Sequence, residues 1–461
     1  MFKIKVLFLN SCFVSERRDK VEHTYPHLRI GIASIAGYLK SKGIAVSTLD
    51  PYLNGTSLEG LVDQIVAAKP DYLGIQSYTE EIEDAGRIAL AVKEKSPRTV
   101  IVLGGYHVSA LPAETLAEFP AFDIGVVGQG EKTMGEIVSG TPLHTIPGIA
   151  FRNDSGKVTL NPGPSEVIAL DDLPPPAWEL FEVQRYNSEY FPIEPLRACP
   201  FNCVFCFRAT GRKVYYKSPE KFVAELRHYV EYLGIQKFYF QAGSFPLKRS
   251  HAEAICREIL ELGLKVTWTA ATRVDLIDQE LIELMHRAGC ESLRLGIESG
   301  DIGLLNFSSK GITPELSMRA LEMCRKAGMQ TMCNFILGLP FETRETLMAT
   351  YKMALKVIKH SEEVNFGILV PYPGTKVYEM AQKGEGGIQM RTRKWSDFGK
   401  QIGLSLQHDN FADGELQKYQ SRFYLGCYIR HPFKALRFYS FGRAVQVIKR
   451  ALGWSDKQRS S

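Results

Sequence analysis

From residue 4 onward, short apolar runs rich in β-branched and aromatic residues alternate with longer stretches in which apolar positions recur every three or four residues. The runs "IKVLFLN", "AVSTLD", "YLGIQS", "TVIVLGG" and "FDIGVVG" suit strands buried on both faces, and helical periodicity fills about 29–42, 57–68, 81–95 and 112–118 between them. This repetition predicts a parallel sheet covered on both sides, a flavodoxin-like (Rossmann-type) α/β domain over 1–145. "DDLPPPAW" and the Gly and Pro around it break the rhythm and predict a linker over 146–190. Over 191–390 the alternation resumes with "IEPLR", "KFYFQA", "KVTWTAA", "SLRLGIES", "QTMCNFILG" and "EVNFGILV", separated by helical patterns near 219–233, 250–262, 278–288, 313–327 and 343–358. Six βα-like units fall short of a closed eightfold barrel, so a partial (β/α)6 barrel is expected, followed by a mostly helical extension over 391–461.

Composition changes this picture little. The 461 residues are 45% hydrophobic and 23% charged, enough for a large core and two or three domains. "MFKIKVLFLNSC" is too short an apolar run for a signal peptide or a spanning helix, and no other segment offers about 18 apolar residues in a row, so a cytoplasmic protein is expected. Residues 425–461 hold eight Lys or Arg against one acid, +7 of a net +5, which leaves the rest near −2. The basicity belongs to the tail, and no nucleic-acid partner is expected.

The candidate chemistry begins with "RACPFNCVFCFR", which places three of nine cysteines, Cys199, Cys203 and Cys206, at C-x3-C-x2-C spacing after a strand. Structural zinc sites close with four ligands, and no second pair is at hand. Three thiolates on one loop suit a 4Fe-4S cluster that leaves one iron open, with an incomplete zinc knuckle or chance clustering as the plain alternatives. Cys256, Cys290, Cys324 and Cys333 lie in helical or strand patterns and read as buried apolar residues. In the first domain, strand ends carry "QSYT" (Ser77, Thr79), "LGGYH" (Gly104, Gly105, Tyr106, His107) and "VVGQGE" (Gly128, Gly130, Glu131). Paired glycines let backbone lie flat against a large ligand, and no G-x-G-x-x-G follows the first strand, which argues against a dinucleotide. A doubly wound domain without a ligand is the alternative.

With Phe205 before its last cysteine, the loop resembles that of the radical S-adenosylmethionine (SAM) superfamily, and the first domain resembles cobalamin-binding domains. Together, over about 3–390, the chain resembles cobalamin-dependent radical SAM enzymes, including the anaerobic magnesium-protoporphyrin ester cyclase group. The resemblance implies a 4Fe-4S cluster on the three cysteines and cobalamin lined by Ser77, Thr79, Gly104, Gly105, Tyr106, His107, Gly128, Gly130 and Glu131. It implies SAM beside Phe205, with Gln241 or Ser244 toward its amino group, Arg273 toward its carboxylate, Glu298 and Ser299 toward ribose or amino group, and Gly338 and Pro340 toward adenine. The implied reaction is methylation of an unactivated carbon through a 5′-deoxyadenosyl radical, with an electron donor such as flavodoxin or ferredoxin. Cyclisation or rearrangement without methyl transfer is the second reading. A non-catalytic cobalamin-binding protein is the third, because "QAGSF" lacks the carboxylate often found there.

D-x-H-x-x-G is absent after the first strand, and His23 and His27 stand at the wrong spacing, so a histidine ligand to cobalt is not assumed. Tyr372 and Tyr378 end the sixth strand and face either substrate or core. Phe201, Phe205, Phe207 and Phe245 suit a small apolar or lipid-like substrate and would shield the cluster. The tail mixes Phe433, Leu436 and Val447 with Arg437, Arg443 and Lys449, as in a helix that lies on an anionic membrane or packs on the barrel with a solvated basic face.

Overall fold

The computed structural model describes residues 4–12, 28–153, 155–164, 167–186, 188–399 and 403–434; His23, His27 and the basic run from 435 lie outside the described residues. The chain divides into two compact units, 1–200 with 207–226, and 201–206 with 227–461.

In the first unit, β1 (Lys5–Leu9), β2 (Ala45–Leu49), β3 (Tyr72–Gln76), β4 (Val100–Gly104) and β5 (Ile124–Val126) run parallel in the order β2-β1-β3-β4-β5. This is the flavodoxin order, whose strand sequence reverses between β1 and β3 and leaves a crevice at their carboxyl ends. Leu7, Leu9, Leu73, Ile75, Ile101 and Leu103 are buried, as continuous apolar strands between two helical layers require. Helices Ile30–Ser41, Leu58–Ala68, Ile82–Lys95 and Pro112–Glu118 fall where the periodicity puts them, and Glu131–Val138 adds one that was not anticipated.

Part of the expected linker extends this sheet. β6 (Ile149–Arg152) and β7 (Val158–Leu160) form a hairpin antiparallel to β5, held by a turn in which Asn153 Oδ1 accepts from the backbone of Ser155 and Lys157. Strands this short, between Gly and Pro, leave no period to read. The stretch expected to form the first barrel strand is divided into β8 (Phe191–Ile193) and β9 (Leu196–Arg197), the latter antiparallel to β10 (Tyr215–Tyr216). Pro195, which has no N–H for a ladder, stands between them.

In the second unit, β11 (Lys237–Phe240), β12 (Thr267–Thr272), β13 (Cys290–Glu298), β14 (Gln330–Leu337) and β15 (Glu363–Ile368) pair in parallel in chain order. Among the described residues no pairing closes this run of strands into a ring. The helices between them start at side-chain caps: Asp278, Thr313 and Thr343 each accept a backbone N–H three residues on. The far edge of β15 is covered by helix Glu415–Tyr428: Tyr424 and Tyr428 hydroxyls accept from the N–H groups of Phe366 and Val364, and Gln420 donates to Phe366 O at 2.6 Å. Side chains thus satisfy the edge that a further strand would have paired. The extension also contains a hairpin, β16 (Ile388–Met390) with β17 (Leu406–His408).

Candidate functional site

The cysteine loop opens at Ala198, a non-glycine residue at φ 77°, and is fixed along its second half. Val204 N donates to Ser308 O (3.3 Å), Val377 N donates to Val204 O (3.2 Å), and Cys206 N donates to Cys203 O (3.1 Å). Val204 and Phe205 pack against the cluster containing Leu304, Leu339, Leu369 and Val377, and the Phe201 ring lies 3.9 Å below the Arg273 guanidinium carbon. Cys199 and Cys203 are half-buried and Cys206 is exposed, whereas the other six cysteines are buried. Burial pushes the thiols of Cys256, Cys324 and Cys427 up to about 12 and also raises those of Cys12, Cys290 and Cys333. A cluster ligand is a thiolate, so the six buried thiols are poor candidates. Among the described residues no three His, Cys, Asp or Glu side chains already converge on a metal position. The donor set nonetheless fits a cluster: three solvent-accessible thiols on a loop whose backbone is anchored from Cys203 to Cys206.

Strand ends of the second unit gather the remaining residues named from sequence. After β11, Gln241 is half-buried and Ser244 is 2% exposed, with no hydrogen-bond partner for its Oγ. After β12, Arg273 forks onto Asp275 (2.9 and 2.8 Å) and donates to Lys310 O, while its Nη1 is buried without a partner. Orphaned buried donors are rare because each forfeits its hydration, so these two fit a polar ligand bound across the ends of β11 and β12. Glu298 ends β13 at φ 66° and is ion-paired to Lys310 at 2.6 Å. A buried non-glycine residue in the left-handed region stores strain on the order of 1 kcal/mol.

Two sequence expectations meet competition here. Ser299 is fully buried, its hydroxyl held by Thr350 (3.0 Å) and Asp301 N (3.1 Å), so it is turned into protein rather than toward a ribose. Phe245 is also fully buried, edge-on to Phe240 and Trp268, and belongs to the core instead of shielding a cluster. Tyr378 sits in a buried cluster with Val370 and Phe398, and Tyr372 packs against it.

After β14, Gly338 (φ 82°), Leu339 and buried Pro340 turn beneath Glu342, which the sequence reading missed. Its Oε2 accepts from Gly338 N and, at 3.3 Å, from Leu339 N; its Oε1 is buried without a partner, and burial raises its carboxyl to about 8. Glu342 therefore shapes the turn that carries Gly338 and Pro340. In sequence it looks like an ordinary acid at a helix start.

The carboxyl edge of the first sheet carries the other set. Gly105, at φ 102°, lies so close to Ser77 that a Cβ would meet Ser77 O at 2.5 Å, whereas a Cβ on Gly104 would meet nothing within 4 Å. Gly105 is thus required by the backbone, and Gly104 faces open space of the kind a ligand fills. Ser77 Oγ donates to Tyr78 O (2.7 Å), and Thr79 Oγ1 lies 3.4 Å from His107 Nδ1. Burial lowers His107 to about 4, so the ring is neutral. Tyr78 and Tyr106 stack at 5.4 Å, both partly exposed, and Phe207 meets Tyr106 edge-on at 6.4 Å. Small hydroxyls, an open glycine and exposed aromatic faces fit a broad, flat, largely neutral ligand such as cobalamin. Gly128 (φ 82°) and Gly130 follow β5, but Glu131 is turned inward, accepting from Ser34 (2.7 Å) and Arg197 (2.9 Å). Arg197 also reaches Gln129 (2.7 Å) and Glu194, so Glu131 belongs to a buried ion-pair network rather than to an open cavity.

A parallel sheet preceded by a three-thiol loop, and a flavodoxin-order domain with a glycine edge, describe an α/β protein of two units, each with candidate ligand-binding residues at the carboxyl ends of its strands. The sequence profile of the radical SAM superfamily matches residues 193–354, and that of the B12 binding domain matches residues 21–138. An uncharacterized methyltransferase of Pyrococcus horikoshii is 31% identical, covering 92% of either chain. The anaerobic magnesium-protoporphyrin IX monomethyl ester cyclase of Rubrivivax gelatinosus is 30% identical, over 76% of this chain and 65% of its own. The radical SAM methyltransferase TsrM of Kitasatospora setae, solved with cobalamin and a 4Fe-4S cluster bound, shares the fold at a TM-score of 0.70 and 20% identity, over 85% of this chain and 78% of its own. The chain belongs to the radical SAM superfamily, among the members that carry a B12-binding domain. Its cofactors are a 4Fe-4S cluster, SAM and cobalamin.

Proposed function

We propose that the protein is a cobalamin-dependent radical SAM methyltransferase acting on a small, largely apolar molecule, reduced by an external one-electron donor of the flavodoxin or ferredoxin kind. With all three cofactors bound, the chemistry they supply is radical transfer of a methyl group to an unactivated carbon. Cys199, Cys203 and Cys206 hold the cluster. Ser244 Oγ accepts from the amino group of SAM and Arg273 Nη1 donates to its carboxylate; Phe201, stacked on Arg273, keeps that guanidinium in place and water away from it. Glu298 and the Gly338–Pro340 turn border the nucleoside, with Glu342 setting the turn. Gly104 and Gly105 let the first domain lie flat against cobalamin, and neutral His107, Thr79 and Ser77 offer polar atoms without burying a charge.

The observation that carries the reading is the pair of buried, unpartnered polar groups at the ends of two adjacent strands in the same unit as the loop residues Cys203 and Cys206. Methyl transfer is favoured over ring formation by the methyltransferase relative that matches nearly end to end. Anaerobic reconstitution with iron, sulfide and hydroxocobalamin, followed by reduction and SAM, should give both 5′-deoxyadenosine and S-adenosylhomocysteine. Deoxyadenosine alone would favour cyclisation or rearrangement, and the absence of both products would defeat the proposal.

A further inference from the structure

The end of helix Glu415–Tyr428 combines protruding apolar side chains with cations that, among the described residues, pair with no carboxylate. Phe433 is 86% exposed, the highest value for a large apolar side chain among the described residues, and Ile429 is 68% exposed. Arg430, His431 and Lys434 stand among them. Arg430 donates to Gly426 O (2.7 Å), and Lys434 donates to Ile358 O (2.9 Å) and Ser361 O (2.7 Å). These cations lean on carbonyl oxygens, and among the described residues neither they nor Lys359 enters an ion pair. His431 registers the field: burial and then Lys434, Lys359 and Arg430 lower its pKa. From 416 to 455 the sequence has eight Lys or Arg and no acid.

We propose that Ile429 and Phe433, flanked by Lys359, Arg430 and Lys434, dock the protein on an anionic phospholipid bilayer. Cations alone would suit an acidic protein equally well. The bulky apolar side chains standing out between them favour lipid, because the headgroup boundary accepts such groups without any shape match while the cations meet phosphates.

The test is sedimentation of the full chain with vesicles of phosphatidylcholine and phosphatidylglycerol at about 7:3, compared with phosphatidylcholine alone, at low salt and at high salt. The expected result is binding to the anionic vesicles only, lost at high salt. Lys359→Gln/Arg430→Gln should weaken it about 25-fold, about fivefold for each cation removed, and Phe433→Asn about tenfold. All three positions are exposed, so matched thermal melts will show that the variants remain folded. Absence of binding to anionic vesicles, or binding that both variants leave unchanged, overturns the proposal. So does capture of an acidic ferredoxin through the same cations without any vesicle binding.

Discussion

Gly104 and Gly105 are neighbours with opposite surroundings, and the contrast separates what the backbone needs from what a ligand needs. Gly105→Ala places a Cβ 2.5 Å from Ser77 O at φ 102°, and should cost about 2–3 kcal/mol of stability in a thermal or urea melt of the unloaded chain. Gly104→Ala meets nothing, and should change stability by less than about 1 kcal/mol while weakening cobalamin about tenfold in a spectral titration. Equal effects of the two substitutions on stability would remove the distinction. Ser244 follows the same logic from the polar side. Its hydroxyl has no partner to lose, so Ser244→Ala should leave the melting temperature unchanged or raise it, and should weaken SAM binding about fivefold. A loss of stability would mean that the hydroxyl is engaged by protein.

At the scale of elements, most of the architecture is legible in the sequence because strand and helix periods differ. The 57–68 periodicity becomes helix Leu58–Ala68, and the patterns near 313–327 and 343–358 become helices capped by Thr313 and Thr343. The hairpin β6–β7 was not legible, since four- and three-residue strands carry no period and are fixed by pairing with β5. The site divides in the same way. Cysteine spacing and glycine pairs are local and readable, whereas the inward turn of Glu131 toward Arg197 and of Ser299 toward Thr350 depends on partners 66 and 51 residues away. Glu342 was missed for the same reason, because its role rests on burial that a sequence does not display.

That burial has a pH signature. The Glu342 carboxyl is raised to about 8 in the folded chain, against about 4.3 when unfolded. The folded state therefore keeps a proton that the unfolded state releases between those values. The stabilisation is complete below about pH 4 and is lost as pH rises through 8. Glu342→Gln removes this dependence, so the difference in melting temperature between variant and wild type should move in favour of the variant from pH 5 to pH 9. A constant difference would place the carboxyl in water.

At the scale of the whole molecule, one chain joins a flavodoxin-order domain to a second parallel sheet, and each unit presents its candidate residues at the carboxyl ends of its strands. Among the described residues no helix is long and apolar enough to cross a membrane. The central claim is that Cys199, Cys203 and Cys206 hold the cluster that activates SAM, and that cobalamin binds independently through the first domain. It is tested most directly by 5′-deoxyadenosine formation in the anaerobically reconstituted, reduced protein, comparing wild type with Cys203→Ala while following cobalamin by its absorption. The account predicts deoxyadenosine from the wild type, none from the variant, and the same bound cobalamin in both. Deoxyadenosine from the variant, or cobalamin lost together with the cluster, would contradict it.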